Sequence, residues 1–282
     1  MNPAYAIGFL SSLLWGSADF LGGIGARRSP APTVGLFSGL GGLAGVLVAL
    51  PFFVGSPTPA DLAWGAAAGA CGAISVSLMY RALALGPMSL ASPVFSLIGL
   101  CVPVWFGLAS GERPRLLSWI GVGLAMLAIP LLSVTGRGEG QVSREHARRT
   151  LVISIAAGLV VGWFLVCLAR VGGAAGLMPL VVARGSGMAV LVLWLLAQRQ
   201  PLLPAAPARF PALTSGVVDS SANIAFLIAV HRGPLSLISA LVSLAPAATV
   251  LLARFTLGER WTTWQALGLA TALVAGVCIS VG

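Results

Sequence analysis

The 282-residue sequence contains no lysine and only seven acids, and charged residues of both signs make up 8% of it, against about 25% in a soluble domain. So few charges cannot cover a water-facing surface of this length, and a mean hydropathy of +0.99 excludes a disordered chain. The two histidines, His146 and His231, stand apart, and neither an HExxH nor a paired-acid motif occurs, so no catalytic constellation is read from the chain. The four cysteines (Cys71, Cys101, Cys167, Cys278) sit singly within apolar runs, giving neither zinc spacing nor a disulfide framework. No metal and no cofactor is expected. The sixteen arginines lie mostly between apolar segments and form no basic stripe with interleaved aromatics, which argues against a nucleic-acid partner. The start of the chain has no basic n-region and runs into an apolar stretch too long for a signal peptide, so this stretch is expected to stay in the mature protein.

What the chain has in abundance is apolar length, with 58% hydrophobic residues. Its 36 glycines and 18 prolines would damage soluble helices but are tolerated in membrane helices, whose neighbours satisfy freed backbone groups. A span needs about 20 mostly apolar residues. Ten such segments are read at 4–26, 33–54, 62–85, 88–109, 116–134, 151–171, 177–197, 210–230, 235–255 and 262–281. A β-barrel is excluded because barrel strands alternate apolar and polar residues, whereas these runs are apolar on nearly every side. The expected fold class is therefore all-α, a polytopic membrane protein embedded in the lipid bilayer.

Shifting the chain by 147 residues aligns Gly86-Pro87 with Gly233-Pro234 and Gly111-Glu112-Arg113 with Gly258-Glu259-Arg260. Between Gly86 and Ala128, 13 of 43 positions are identical, including Ser89/Ser236, Ser92/Ser239 and Ser96/Ser243. The chain reads as a duplication: a first repeat over 1–134, a connecting loop over 135–150 and a second repeat over 151–282. Five spans is an odd number, so the halves enter from opposite sides and form two inverted five-helix repeats. Eleven arginines collect on the side of the central loop and four on the side of the termini, which places the loop in the cytoplasm and the termini outside.

Ionisable groups deep in a span are costly and are functional candidates by default. Asp219 lies near the middle of the eighth span with Asn223 one turn on. Asp19 shares a face of the first span with Trp15, Ser12 and Gly8. Arg184, in the seventh span, either neutralises one of these acids or snorkels to the interface. The serine triplets Ser89/Ser92/Ser96 and Ser236/Ser239/Ser243 occupy matching faces of the fourth and ninth spans, where Pro93 and Pro246 are expected to break the helix. They either border a substrate site at the symmetry axis or serve as small packing residues. Trp15, Met79, Tyr80, Trp105 and Trp163 are candidates to line an amphipathic cavity, and Glu112 and Glu259 are expected to cap the fifth and tenth spans. The substrate-site set is thus Trp15, Asp19, Met79, Tyr80, Ser92, Ser96, Trp163, Asp219, Asn223, Ser239 and Ser243. Asp219, nearest the midplane, is the first choice for a coupling-proton carrier.

The segments Trp15-Gly16-Ser17, Arg81-Ala82-Leu83, Gly86-Pro87-Met88-Ser89 and Gly111-Glu112-Arg113-Pro114, with the echo from Gly233 to Gly268, resemble the EamA type of the drug/metabolite transporter superfamily. That type includes bacterial amino-acid exporters. The resemblance implies a basket of ten helices around a central cavity lined by the first, third, fourth, sixth, eighth and ninth spans. It also implies alternating-access export of an amino acid or similar amphiphile, and a monomer in the bacterial inner membrane. Many relatives keep both termini in the cytoplasm, opposite to the arginine count here. The competing readings are a membrane-embedded enzyme, which would want a His/carboxylate cluster, and a partner-binding scaffold, which would want a larger loop than residues 135–150.

Overall fold

The computed structural model describes residues 2–85, 88–133, 144–257 and 262–281, and within its helices leaves aside the side chains of Tyr80, Ser89 and Ser92 among others. Helices account for the expected spans: α1 (Pro3–Ala26), α2 (Ala31–Ala49, extended by a 3-10 turn at Leu50–Phe52), α3 (Pro59–Leu85), α4 (Met88–Ala109), α5 (Leu116–Ser133), α6 (Arg144–Ala169), α7 (Met178–Ala197), α8 (Ala206–Val230), α9 (Leu235–Val242), α10 (Ala245–Leu257) and α11 (Thr263–Val281). No strand occurs among the described residues. Among the described residues nine spans are long and apolar enough by themselves to cross a bilayer, α9 and α10 together forming one of them, and α4 supplies the tenth.

Local chemistry sets the helix ends. Asn2 caps α1 by accepting from the Ala4 amide at 3.0 Å, and prolines occupy the first turn of α1, α2, α7 and α8, where a missing N–H is harmless. α6 begins seven residues before the expected span because its first turns are polar, with Glu145 and Arg149 paired at 2.6 Å one turn apart. The expected break at both Pro93 and Pro246 is half right. Only the ninth span divides: residues 243 and 244 form a turn, and Pro246 has no N–H to offer Val242. α4 runs unbroken through Pro93 and Pro103.

Packing follows the duplication. α1 lies against α8 as α6 lies against α3, and α2 against α8 as α7 lies against α3. α4 meets α6 as the α9–α10 pair meets α1, while α5 and α11 pack on each other across the symmetry axis. The α1–α8 pair is antiparallel: the Ser11 hydroxyl donates to Ala222 O and the Ser215 hydroxyl to Ala18 O, each at 2.8 Å.

Two glycines related by the 147-residue shift carry the close crossings. A Cβ on Gly69 would strike the Ala183 carbonyl of α7, and one on Gly216 would strike the Ser38 carbonyl of α2. Without a hydrophobic force between helices in lipid, such close backbone approach is what holds them together. Gly69→Val and Gly216→Val should each lower the melting temperature of detergent-purified protein, at a cost of about 1–3 kcal/mol or more because the obstacle is backbone. Gly123→Val, with nothing within 4 Å, is the control. Equal melting of all three variants and the parent would remove the crossings from the account.

Burial is uneven along the membrane normal. Around the end that carries the termini, Ala4, Val171, Phe226, Leu235, Ile238 and Val242 join one large apolar core, and all eight residues of α9 are buried. That end is also stitched by hydrogen bonds between loops: Asn2 Nδ2 donates to Arg232 O, the Ser56 amide to Ala174 O and the Gly172 amide to Asp61, and His231 Nε2 lies 2.7 Å from Val171 O. Toward the opposite end α1 turns exposed glycine and carboxylate positions, Gly23 and Asp19, toward the interior.

Candidate functional site

The site forms where α1, α2, α7 and α8 meet at mid-depth. Asp219, midway along α8, accepts from Trp15 Nε1 of α1 at 2.9 Å, from Arg184 Nη2 of α7 at 2.5 Å and from Asn223 Nδ2 at 3.2 Å. Asn223 is buried and also donates to the Asp219 backbone carbonyl at 2.6 Å, which locks its amide beside the carboxylate. The ion pair is only partly open, with side-chain exposures of 19% for Arg184 and 28% for Asp219. Gly42 of α2 makes room for it, since a Cβ there would lie 3.0 Å from Arg184 Nε and 2.8 Å from Ser220 Oγ. The Ser220 hydroxyl closes the arrangement by donating to Gly42 O at 2.8 Å.

Trp15 forms the floor. Its ring packs on Phe164 of α6 with centroids 6.3 Å apart and on Phe226 of α8 at 5.7 Å. One turn further along α1 stands Asp19. Ala18 and Gly22 on one flank meet Ser215 of α8, and Gly16 on the other meets Ala245 and Ala248 of α10. Asp19 therefore projects between α8 and α10 into the bundle, opposite the exposed apolar stripe of Leu10 and Leu13. It is solvent-exposed and within electrostatic range of Asp219. An exposed carboxylate on an inward face marks a water-accessible interior.

The structure brings Trp15, Asp19, Asp219 and Asn223 together and adds Arg184. Snorkelling is thereby excluded for Arg184, which pairs with Asp219. Asp219, expected as the proton carrier, has its charge already matched by a guanidinium, and Asp19 is the mid-span carboxylate to which nothing donates among the described residues. The serines fare differently. The hydroxyls of Ser236 and Ser239 are fully buried with no partner, and Ser243 donates to Ala240 O of its own helix at 2.7 Å, which spends its polar atom on the break. Ser96 and Met79 are half-buried on α4 and α3. Trp163 is 44% exposed, in line with Val152 and Leu159 on an apolar outer stripe of α6, its ring against Phe106 at 6.2 Å. Tyr80 and Ser92 carry side chains outside the described set.

Sequence reasoning missed Phe164 and Phe226; the latter lies two turns after Asp219 on the same face, which was a readable sign. It also misplaced Glu112. Rather than capping the fifth span, Glu112 reaches across the repeats to the start of α9, accepting from the Leu235 amide at 2.6 Å and the Ser236 amide at 3.0 Å. Gly111, at φ +93°, makes the left-handed turn that points it there. Glu259 lies outside the described residues.

A polytopic bundle of two repeated halves, sealed at one end around a polar centre, has the build of a solute carrier. The chain belongs to the EamA-like transporter family, which matches it twice, over residues 2–134 and again over 148–281. It is thus an integral, multi-pass member of a family of membrane transporters of small metabolites. A crystal structure of a protein with 20% sequence identity superposes over 99% of both chains with a TM-score of 0.81, which shows the shared fold. No curated protein matches the sequence.

Proposed function

We propose that the protein is a secondary carrier that moves a small organic metabolite, an amino acid or similar amphiphile, by alternating access along a path that passes Asp19. The observation that carries this reading is the coexistence of a polar mid-membrane cluster, reached by solvent at Asp19, with a densely packed end beneath it. A carrier must expose its site to one side at a time, and repeats of opposite orientation supply two end states of similar energy. Eleven arginines on the side of the central loop mark it as cytoplasmic by the positive-inside rule, so substrate would enter from the cytoplasm, the direction of export. On this reading the protein works as a monomer in a bacterial inner membrane, and a coupling proton, where the gradient is used, is carried by Asp19 rather than Asp219.

The test is solute uptake by the purified protein in liposomes, screened over metabolite mixtures with and without a pH gradient. Gly23 lies one turn above Asp19 on the same face, and a Cβ placed on it would meet no neighbouring atom within 4 Å. Gly23→Trp should fold normally and cut flux at least about tenfold by filling the entrance. Flux that is the same in Gly23→Trp as in the parent would place the path elsewhere, and the lack of any moved solute would count against carriage itself. A C-terminal reporter fused at Gly282 should read as extracytoplasmic; a cytoplasmic readout would reverse the direction while leaving the carrier reading intact.

A further inference from the structure

Charge in the interior is unbalanced. Arg184 is committed to Asp219, which takes two further N–H donors, while Asp19 stands beside this closed set with no donor among the described residues. Water reaches Asp19, but no described residue matches its charge: the ionisable group within its electrostatic range, Asp219, is itself acidic and already paired with Arg184. A cation for it comes from outside. We infer that Asp19 is the recognition point for the ammonium group of a small organic cation, whose apolar arm lies along α1 on the ring of Trp15. This rests on the carrier reading above and narrows its substrate from amino acids in general to amines.

The space is built for such a ligand. Gly23, one turn from Asp19 on the same face, has nothing within 4 Å, so a ligand can approach the carboxylate from that side without displacing a side chain. Trp15 and Asp19 are four residues apart, which sets them about 6 Å apart along the helix axis, close to the reach from nitrogen to ring in an arylethylamine. The indole face, backed by Phe164 and Phe226, offers apolar contact and attracts cations. A carboxylate on the ligand is disfavoured here. It would lie beside the carboxylates of Asp19 and Asp219, whose two negative charges outweigh the single positive charge of Arg184.

Equilibrium binding to the full-length protein in nanodiscs separates the possibilities, using three probes of matched shape: phenethylamine, phenylalanine and 3-phenylpropionate. Phenethylamine should bind about tenfold or more tightly than phenylalanine, and phenylpropionate should neither bind nor compete. Asp19→Asn should weaken phenethylamine at least about tenfold with an unchanged melting temperature, and Asp19→Glu should keep most of the affinity. Should Asp19→Asn fail to fold, the probe series on the parent and on Asp19→Glu still decides. Equal or tighter binding of the acid, unchanged amine affinity in Asp19→Asn, or no binding by any probe would overturn the assignment. Liposome flux of a neutral or anionic solute that is indifferent to Asp19→Asn would sink this inference alone and leave the carrier reading standing.

Discussion

Arg184→Leu should be the most damaging single substitution in the interior. It strips Asp219 of its cation while Trp15 and Asn223 continue to hold the carboxylate at mid-depth. Breaking a buried ion pair from one side costs about 3–5 kcal/mol because the remaining charge is left uncompensated. With both groups still partly open, the lower end applies, about 3 kcal/mol, or a fall of about 6–12 °C in melting temperature. Removing both charges is different: Arg184→Leu/Asp219→Asn leaves no orphan charge, and most of the loss should return. The measurement is the melting of detergent-purified protein for the two singles and the double. A single variant as stable as the parent, or a double no better than Arg184→Leu, would mean that the pair does not hold these helices. Flux should separate from stability, since the restored double has an altered electrostatic environment around Asp19 and is expected to transport poorly even though it folds.

The same ion pair shows what could be read from the chain. Apolar runs of span length and the 147-residue shift gave ten spans and two halves, because lipid imposes length and composition on every helix that crosses it. Asp19, Trp15, Asp219 and Asn223 were legible as candidates because polar groups at mid-span have to be explained. Partnership was not legible. Arg184 and Asp219 are 35 residues apart on different helices, and it is the packing of α7 and α8 on α2, with Gly42 leaving room, that brings them into contact. The serine triplets meet a related limit. Their repeated spacing in the sequence does not say which way the face turns, and Ser239 is fully buried. Helical spacing fixes which residues lie together on a helix, whereas the neighbour each face meets is decided by tertiary packing.

The polar centre does not obey the duplication that built the bundle. Under the 147-residue shift Asp219 falls on Gly72, and Gly72 meets the ring of Phe164 where its counterpart carries charge. The α1–α8 interface thus carries a charge at this position, and its mate between α6 and α3 does not. The two arrangements that inverted repeats allow are then unequal in what they offer a substrate, although they share a fold. On the reading proposed above, recognition falls to one of these two related interfaces, which draws on both repeats, and the duplicated framework around it supplies the motion.

That framework needs a latch, and Glu112 is placed to be one. It sits on the loop between α4 and α5 of the first repeat, and its carboxylate holds the first two amides of α9 in the second repeat. α9 has no cap of its own, since Pro234 precedes it, and its eight residues form the buried plug of the closed end. A carboxylate on helix N-terminal amides is favoured by hydrogen bonding and by the helix dipole together. Two charge-assisted bonds, offset by hydration of the same groups when the end opens, leave about 2 kcal/mol in favour of the closed state. Glu112→Ala should therefore raise the population open toward the termini about 30-fold. Ser12, buried on the face that leads from that end toward Trp15, reports it. In a background lacking the native cysteines, Ser12→Cys should react with a membrane-impermeant maleimide applied from the terminus side about 30-fold faster when Glu112→Ala is present. Glu112→Gln, which keeps an acceptor but loses the charge, should fall between. An unchanged labelling rate in a folded Glu112→Ala protein would make Glu112 a cap for α9 and nothing more.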